Sequence, residues 1–246
     1  MGNDRVVVLT GAGGGIGSAV AARFLDHGDM VIATDSSQES LRSLAEQHRG
    51  SGKLETVVAD VTVESEVAAV MALARERSAR VDILINCAGY FPVQPFAEIS
   101  AEIWRRVVDI NLTGVFLTIR HALPLMRGRG WGRIINFGSG TFFKGTPFQS
   151  HYIAAKAGVI GLSRSLATEL GPENITVNVV TPGLTETEAV KRTMSADFLA
   201  KRRAERPLKR AEVAEDLVGA VFFLASPDAD FITGQIINVD GGSAMH

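Results

Sequence analysis

Seven short runs of β-branched and other apolar residues, separated by longer stretches of helical periodicity, constrain this chain more than any other feature. The runs are Val6–Leu9, Met30–Ala33, Leu54–Val58, Ile83–Ile85, Arg133–Phe137, Thr176–Val180 and Gln235–Val239. Several are almost continuously apolar, the pattern of strands covered on both faces. Between them, Ser18–His27, Ser40–Gln47, Glu64–Arg77, Ala101–Met126, Tyr152–Leu170 and Ala211–Leu224 read as helices. Strand and helix in alternation predict right-handed βαβ units and a parallel sheet. The expectation is an α/β chain forming one domain over residues 1–246, its seven strands in one parallel sheet with helices on both faces. A length of 246 residues with 46% hydrophobic content is enough to build that core.

Charge and cysteine content narrow the function classes. With 25 basic and 27 acidic residues the net charge is -2, which gives no electrostatic reason to expect nucleic acid or an anionic membrane as partner. The single cysteine, Cys87, excludes an intrachain disulfide. No run approaches the roughly 18 apolar residues of a membrane span. Met1-Gly2 opens like a myristoylation signal, but Val6 stands where Ser or Thr is needed. A cytoplasmic protein is expected. The histidines and the cysteine have no metal-ligand spacing, so no metal site is expected.

The first strand runs into Thr10-Gly11-Ala12-Gly13-Gly14-Gly15-Ile16-Gly17, and a helix starts at once. Glycines let the backbone turn sharply and approach a ligand, and a helix N-terminus offers free N–H groups to a pyrophosphate. The spacing is G-x-x-x-G-x-G over Gly11, Gly15 and Gly17, not the usual G-x-G-x-x-G. The second strand leads into Asp35, whose carboxylate can accept both hydroxyls of an adenosine ribose and repel a 2′-phosphate. No Arg or Lys lies in the glycine loop or at Ser36 and Ser37, which favours NAD over NADP. A helix N-cap is the other use for Asp35.

Tyr152 and Lys156 are four apart on a helix and share a face. An ammonium beside a phenol stabilises the phenolate, so the pair predicts a Tyr152 pKa below 10 and a general acid/base. Ser139 follows the fifth strand, 13 residues before Tyr152. The C-terminal edge of a parallel sheet is where the two hydroxyls can meet a substrate oxygen.

These motifs occur in order with Asn86-Cys87-Ala88-Gly89, Asn111, Asn178-Val179-Val180-Thr181-Pro182-Gly183, Ile232-Thr233-Gly234-Gln235 and Val239-Asp240-Gly241-Gly242. The chain thereby resembles the short-chain dehydrogenase/reductase family over essentially its whole length. The resemblance implies a Rossmann fold and hydride transfer between an alcohol or carbonyl and NAD. It implies Tyr152 as acid/base, Lys156 on the nicotinamide ribose, Ser139 orienting the substrate oxygen and Asn111 supporting a water beside Lys156. It further implies that Gly11, Gly15, Ile16, Gly17, Asp35, Asp60, Val61, Asn86, Ala88, Gly89, Pro182, Gly183 and Thr187 bind the cofactor. Cys87 departs from the family's more frequent second Asn, and Gly138 from its frequent Ser. A homotetramer follows from the same resemblance, with Ala101–Met126 and Tyr152–Leu170 in one interface and Ile232–His246 in another.

For the substrate, aromatic residues cluster near the site: Tyr90, Phe91, Pro92, Val93 and Phe96; Thr141, Phe142 and Phe143; Phe148, Gln149 and His151. They suit a ring-bearing or bulky hydrophobic substrate, or serve as loop packing. Thr141-Phe142-Phe143 with Gly145-Thr146-Pro147 and the run from Gly158 to Leu170 are similar to the pyridoxal 4-dehydrogenases of that family, and Trp131-Gly132-Arg133-Ile134-Ile135-Asn136 with the Phe91-Pro92 loop is similar to its 1-phenylethanol dehydrogenases; both use NAD on ring-bearing alcohols. The charge-rich residues 185–210 read as a substrate lid or as a solvated helical insertion. A 3-oxoacyl-carrier-protein reductase is the alternative enzyme, with Asp35 against it because such reductases usually prefer NADP. A non-catalytic, nucleotide-sensing binding protein on the same fold is the alternative of another class.

Overall fold

The computed structural model describes residues 5–245, so Met1-Gly2 and His246 lie outside the described residues. Seven strands form one sheet: β1 (Val6–Thr10), β2 (Met30–Asp35), β3 (Leu54–Val58), β4 (Ile83–Asn86), β5 (Gly132–Phe137), β6 (Ile175–Pro182) and β7 (Ile236–Val239). All neighbouring pairs are parallel, in the order β3-β2-β1-β4-β5-β6-β7. The order reverses at β1, where consecutive crossovers leave for opposite sides of the sheet. A crevice therefore opens beyond the carboxyl ends of β1 and β4, the place where such sheets bind ligands.

The continuous apolar runs follow from burial on both faces. Val7 and Leu9 of β1 pack with α1 (Gly15–His27), α2 (Gln38–Gln47) and α10 (Glu215–Leu224). Val6 and Val8 face the other way, onto α3 (Glu64–Ser78), α5 (Gly114–Met126) and α7 (Ser150–Leu170). Among the described residues no helix is long and apolar enough to cross a membrane.

One helical expectation changes in the structure. The segment Ala101–Met126 is not one helix. It comprises α4 (Ala101–Val108), a single π-helical stretch at Asp109–Thr113, and then α5. Residues 185–210 form α8 (Glu188–Thr193) and α9 (Ala196–Glu205), capped by the hydroxyls of Thr187 and Ser195. A further one-turn helix, α6 (Thr141–Lys144), starts two residues after Ser139.

Candidate active site

The carboxyl ends of β1, β2, β4, β5 and β6 surround one cleft of about 1240 Å³. Its cofactor end is built from the glycine turn. Gly11 sits at φ +66°, where a Cβ would come within 2.7 Å of the Ala88 backbone. At Gly17 a Cβ would lie 2.1 Å from the Gly11 carbonyl oxygen. Only glycine at both positions lets β1 fold directly onto the start of α1 while α1 aims its N-terminus into the cleft. Asp35 is held at the rim by N–H groups of Gly13 (3.0 Å) and Ser37 (2.9 Å). The N-cap of α2 is Ser37, accepting from Ser40, so Asp35 is not spent on capping. Asp60 accepts from the Thr62 N–H and hydroxyl, both at 2.8 Å, and lines the cleft with Val61. Ile16, Ala88, Gly89, Pro182, Gly183 and Thr187 also line it.

Asn86 does not, and this corrects the expectation. Strand alternation turns it away from the cleft and towards α5 and α7, and Cys87 takes its place at the wall. Its amide donates to Asn136 at 2.8 Å and accepts from the Thr118 hydroxyl at 2.7 Å; Asn136 in turn donates to Ser163 at 2.9 Å. All four residues are buried. Replacing Asn136 with Leu strands the Asn86 donor, a loss of about 1–3 kcal/mol. We expect Tm to fall by roughly 3–10 °C; an unchanged melting curve by calorimetry would count against the network.

Ser139, Tyr152 and Lys156 converge at the other end. The Ser139 hydroxyl exchanges a hydrogen bond with Thr141 at 2.8 Å and also faces Tyr152, where it stabilises the phenolate. Lys156 Nζ donates to the Phe137 carbonyl at 2.7 Å and lies 5.7 Å from the centre of the Tyr152 ring. Phe91 meets the same ring edge-on at 6.2 Å. Asn111 sits in the π-helical stretch, wholly buried. It donates to the carbonyls of Tyr90 (2.7 Å) and Val107 (2.9 Å), which ties the loop after β4 to the helix pair. A Cβ on Gly89 would stand 3.1 Å from Asn111 and 3.9 Å from Lys156, so these three groups are neighbours.

The ionisation differs from the expectation. Burial pushes the phenol of Tyr152 up to about 12, with the Ser139 hydrogen bond opposing it. Burial also brings Lys156 down to about 8. Desolvation of the phenol outweighs the Ser139 hydrogen bond, while the Lys156 ammonium is engaged with the Phe137 carbonyl. At neutral pH the pair is a neutral phenol beside a cation, poised to donate a proton.

Sequence reasoning missed Thr10, whose hydroxyl accepts the N–H groups of Cys87 and Ala88, both at 3.2 Å, and so fixes the wall opposite the glycine turn. Its place at the end of β1 was the available signal. It also placed too many aromatics in the pocket. Tyr90, Phe91, Val93, Thr141, Phe148 and Gln149 line the cleft. Pro92, Phe96, Phe142, Phe143 and His151 do not. Phe142 stacks edge-on against Phe143, and His151 is buried in the protein.

A family model described as Enoyl-(Acyl carrier protein) reductase matches residues 11–244. The solved short-chain dehydrogenase/reductase (glucose/ribitol dehydrogenase) from Brucella melitensis superimposes with a TM-score of 0.93 at 34% identity, covering 98% of this chain and 97% of that one. The chain belongs to the short-chain dehydrogenase/reductase family. It is an oxidoreductase of that family, which works with a nicotinamide cofactor. Members similar to it include the 3-oxoacyl-[acyl-carrier-protein] reductase of Thermotoga maritima, 35% identical over 97% of each chain. Another is the cis-4-hydroxycyclohexanecarboxylate dehydrogenase of Sinomonas cyclohexanicum, 39% identical over 97% of this chain and 96% of its own.

Proposed function

We propose that this chain interconverts an alcohol and a carbonyl with NAD, on a ring-bearing or hydrophobic substrate. The observation that carries the reading is the convergence of Ser139 and Tyr152 on one cleft that ends at Asp35, with Lys156 buried just behind Tyr152. The residues fit a dinucleotide: Gly11 and Gly17 in the glycine turn have no room for side chains, the start of α1 points N–H groups inward, and backbone N–H groups of Gly13 and Ser37 hold Asp35 at the rim. Gly11, Gly15, Ile16 and Gly17 would hold the pyrophosphate, Asp35 the adenosine ribose, and Asp60 and Val61 the adenine. Ala88, Gly89, Lys156, Pro182, Gly183 and Thr187 would hold the nicotinamide end. When bound, NAD would supply the hydride acceptor.

The chain's own groups handle the proton and the alignment. Ser139 orients the substrate oxygen by hydrogen bonding, and Tyr152 takes the alcohol proton in oxidation or gives it back in reduction. Lys156 secures the ribose and holds a positive charge behind the phenol. Asn111 is a positioning residue, fixing Tyr90 and the adjoining Gly89. Residues 185–210 act as the lid: Thr187 rests on the glycine turn, 2.8 Å from where a Gly15 Cβ would be, while Met194 and Phe198 roof the substrate end. Phe91, Val93 and Phe148 supply an apolar wall suited to a ring. A homotetramer accords with exposed Phe116 on α5 and fully exposed Phe231 near the C-terminus.

The test is steady-state oxidation of ring-bearing secondary alcohols, pyridoxine-type alcohols and 3-hydroxyacyl thioesters, followed by NADH or NADPH absorbance. We expect kcat/KM with NAD to exceed that with NADP by at least tenfold. Asp35→Ala should erase most of that margin by removing the charge that repels a 2′-phosphate. An NADP preference would reject the Asp35 assignment. It would also favour the second reading, a 3-oxoacyl-carrier-protein reductase, which the Thermotoga maritima relative supports.

A further inference from the structure

The substrate end of the cleft carries cations as well as apolar groups. Lys144 closes α6, five residues beyond Ser139, and Arg202 lies on α9 of the lid; both line the cleft. The Lys144 ammonium donates to the Ser243 hydroxyl, and no carboxylate among the described residues lies within ion-pair distance of it. The nearby carboxylates already have partners. Glu205 accepts from Arg202 at 2.8 Å. Asp240 accepts the N–H groups of Gly242, Ser243 and Ala244 at 3.0, 3.0 and 2.7 Å. Glu212 takes the Thr185 hydroxyl at 2.7 Å and faces Arg206 at 3.8 Å. Lys144 thus has no carboxylate in ion-pair contact, and it lies in the opposing fields of Arg202 and of Asp240 and Glu205. Burial and the Arg202 charge together hold its pKa below the usual lysine range. Two cations on the cleft wall, of which only Arg202 has a carboxylate in ion-pair contact, attract an anion.

We infer that Lys144 and Arg202 grip an oxyanion carried by the substrate, a carboxylate or a phosphate, at the end of the cleft away from the cofactor pyrophosphate. This rests on the alcohol–carbonyl reading above and extends it. The substrate then has three parts: a carbinol or carbonyl at Tyr152, an apolar ring or short chain against Phe148, Met194 and Phe198, and an anionic group at Lys144 and Arg202. Arg202 rides on the lid and Lys144 on the fixed body, so the oxyanion also bridges the two and draws the lid closed.

The experiment compares 4-hydroxycyclohexanecarboxylate, its uncharged methyl ester, 3-hydroxybutyryl-coenzyme A and the uncharged N-acetylcysteamine thioester, using the full chain and NAD. The native protein should prefer one charged substrate over its neutral counterpart by about tenfold or more in kcat/KM, the size of one charge-assisted hydrogen bond. Lys144→Met and Arg202→Gln should each reduce that charged-to-neutral ratio at least fivefold, mainly through KM of the charged substrate. Preference for the acid assigns a carboxylate; preference for the coenzyme A thioester assigns a phosphate. A native protein indifferent to charge, or variants that weaken NAD binding and leave the ratio alone, would overturn the inference. If none of the four substrates reduces NAD or NADP, the alcohol–carbonyl reading fails. The anion site then stands or falls on calorimetric binding of cyclohexanecarboxylate and of inorganic phosphate to native protein and its loss in Lys144→Met.

Discussion

Replacing Tyr152 with Phe should lower turnover by about 10²–10⁴-fold in both directions. The ring stays: Phe keeps the edge-on contact with Phe91 and the packing of α7, so the fold and the cleft are preserved. What disappears is the hydroxyl that carries the proton, and a group that acts only as the proton moves affects kcat more than KM. Single-turnover absorbance at saturating NAD reads the chemical step directly. Full activity in the variant would remove Tyr152 from the mechanism and bring forward a non-catalytic nucleotide-binding role.

The same residue sets the pH dependence. A phenol raised to about 12 is neutral at pH 7, the form that donates a proton to a carbonyl oxygen. Reduction should therefore be flat through neutrality. Oxidation needs the phenolate, whose population grows tenfold per pH unit below the pKa, so log kcat/KM for the alcohol should rise with pH at a slope near one. Ser139 opposes the upward push. Ser139→Ala removes that opposition and should shift the alkaline limb of the oxidation profile further up, in addition to lowering the rate by loss of substrate orientation. An oxidation rate independent of pH from 6 to 9 would contradict the proton role.

The contrast between what was legible in the sequence and what was not has physical causes. The strands were legible because they are short β-rich runs between helical patterns, and the central β1, buried on both faces, has no polar interruption from Val6 to Leu9, whereas the edge strands β3 and β7 are only partly buried. The hydroxyl–phenol–ammonium set was legible because a strand end and a helical i,i+4 pair fix its location without side-chain detail. The facing of Asn86 was not read. It ends β4 at the cleft's edge, and a period of two sends it and Cys87 to opposite faces, so a motif naming both cannot give both the same role. The π-helical stretch was hidden because one extra residue per turn barely disturbs the apolar pattern of Ala101–Met126, yet it is what turns Asn111 inward to Tyr90. The high phenol pKa was hidden because spacing reports which charges are near but not how much water is lost around them. Lys144 was hidden because α6 is a single turn and its partners, Ser243 and Arg202, come from remote parts of the chain.

The glycine turn gives the second large effect, and two neighbouring glycines separate its causes. Gly17→Ala should weaken NAD binding at least a hundredfold and lower Tm. Its Cβ would stand 2.1 Å from the Gly11 carbonyl oxygen and 2.8 Å from the Ala12 Cα, both backbone atoms of the same turn. Neither atom can swing aside as a side chain does, so the turn must open and α1 must tilt its N-terminus off the phosphate position. Gly14→Ala is the control. Its Cβ would meet only the Gly11 carbonyl oxygen, at an ordinary 3.4 Å, and its φ of -75° suits any residue. That variant should keep its Tm within about 2 °C and bind NAD within a few-fold of the native protein. Fluorescence titration with NADH and thermal melts on both variants decide the matter. If the two glycines tolerate Ala equally, the tight turn is not what holds the dinucleotide, and the pyrophosphate must be sought elsewhere in the cleft.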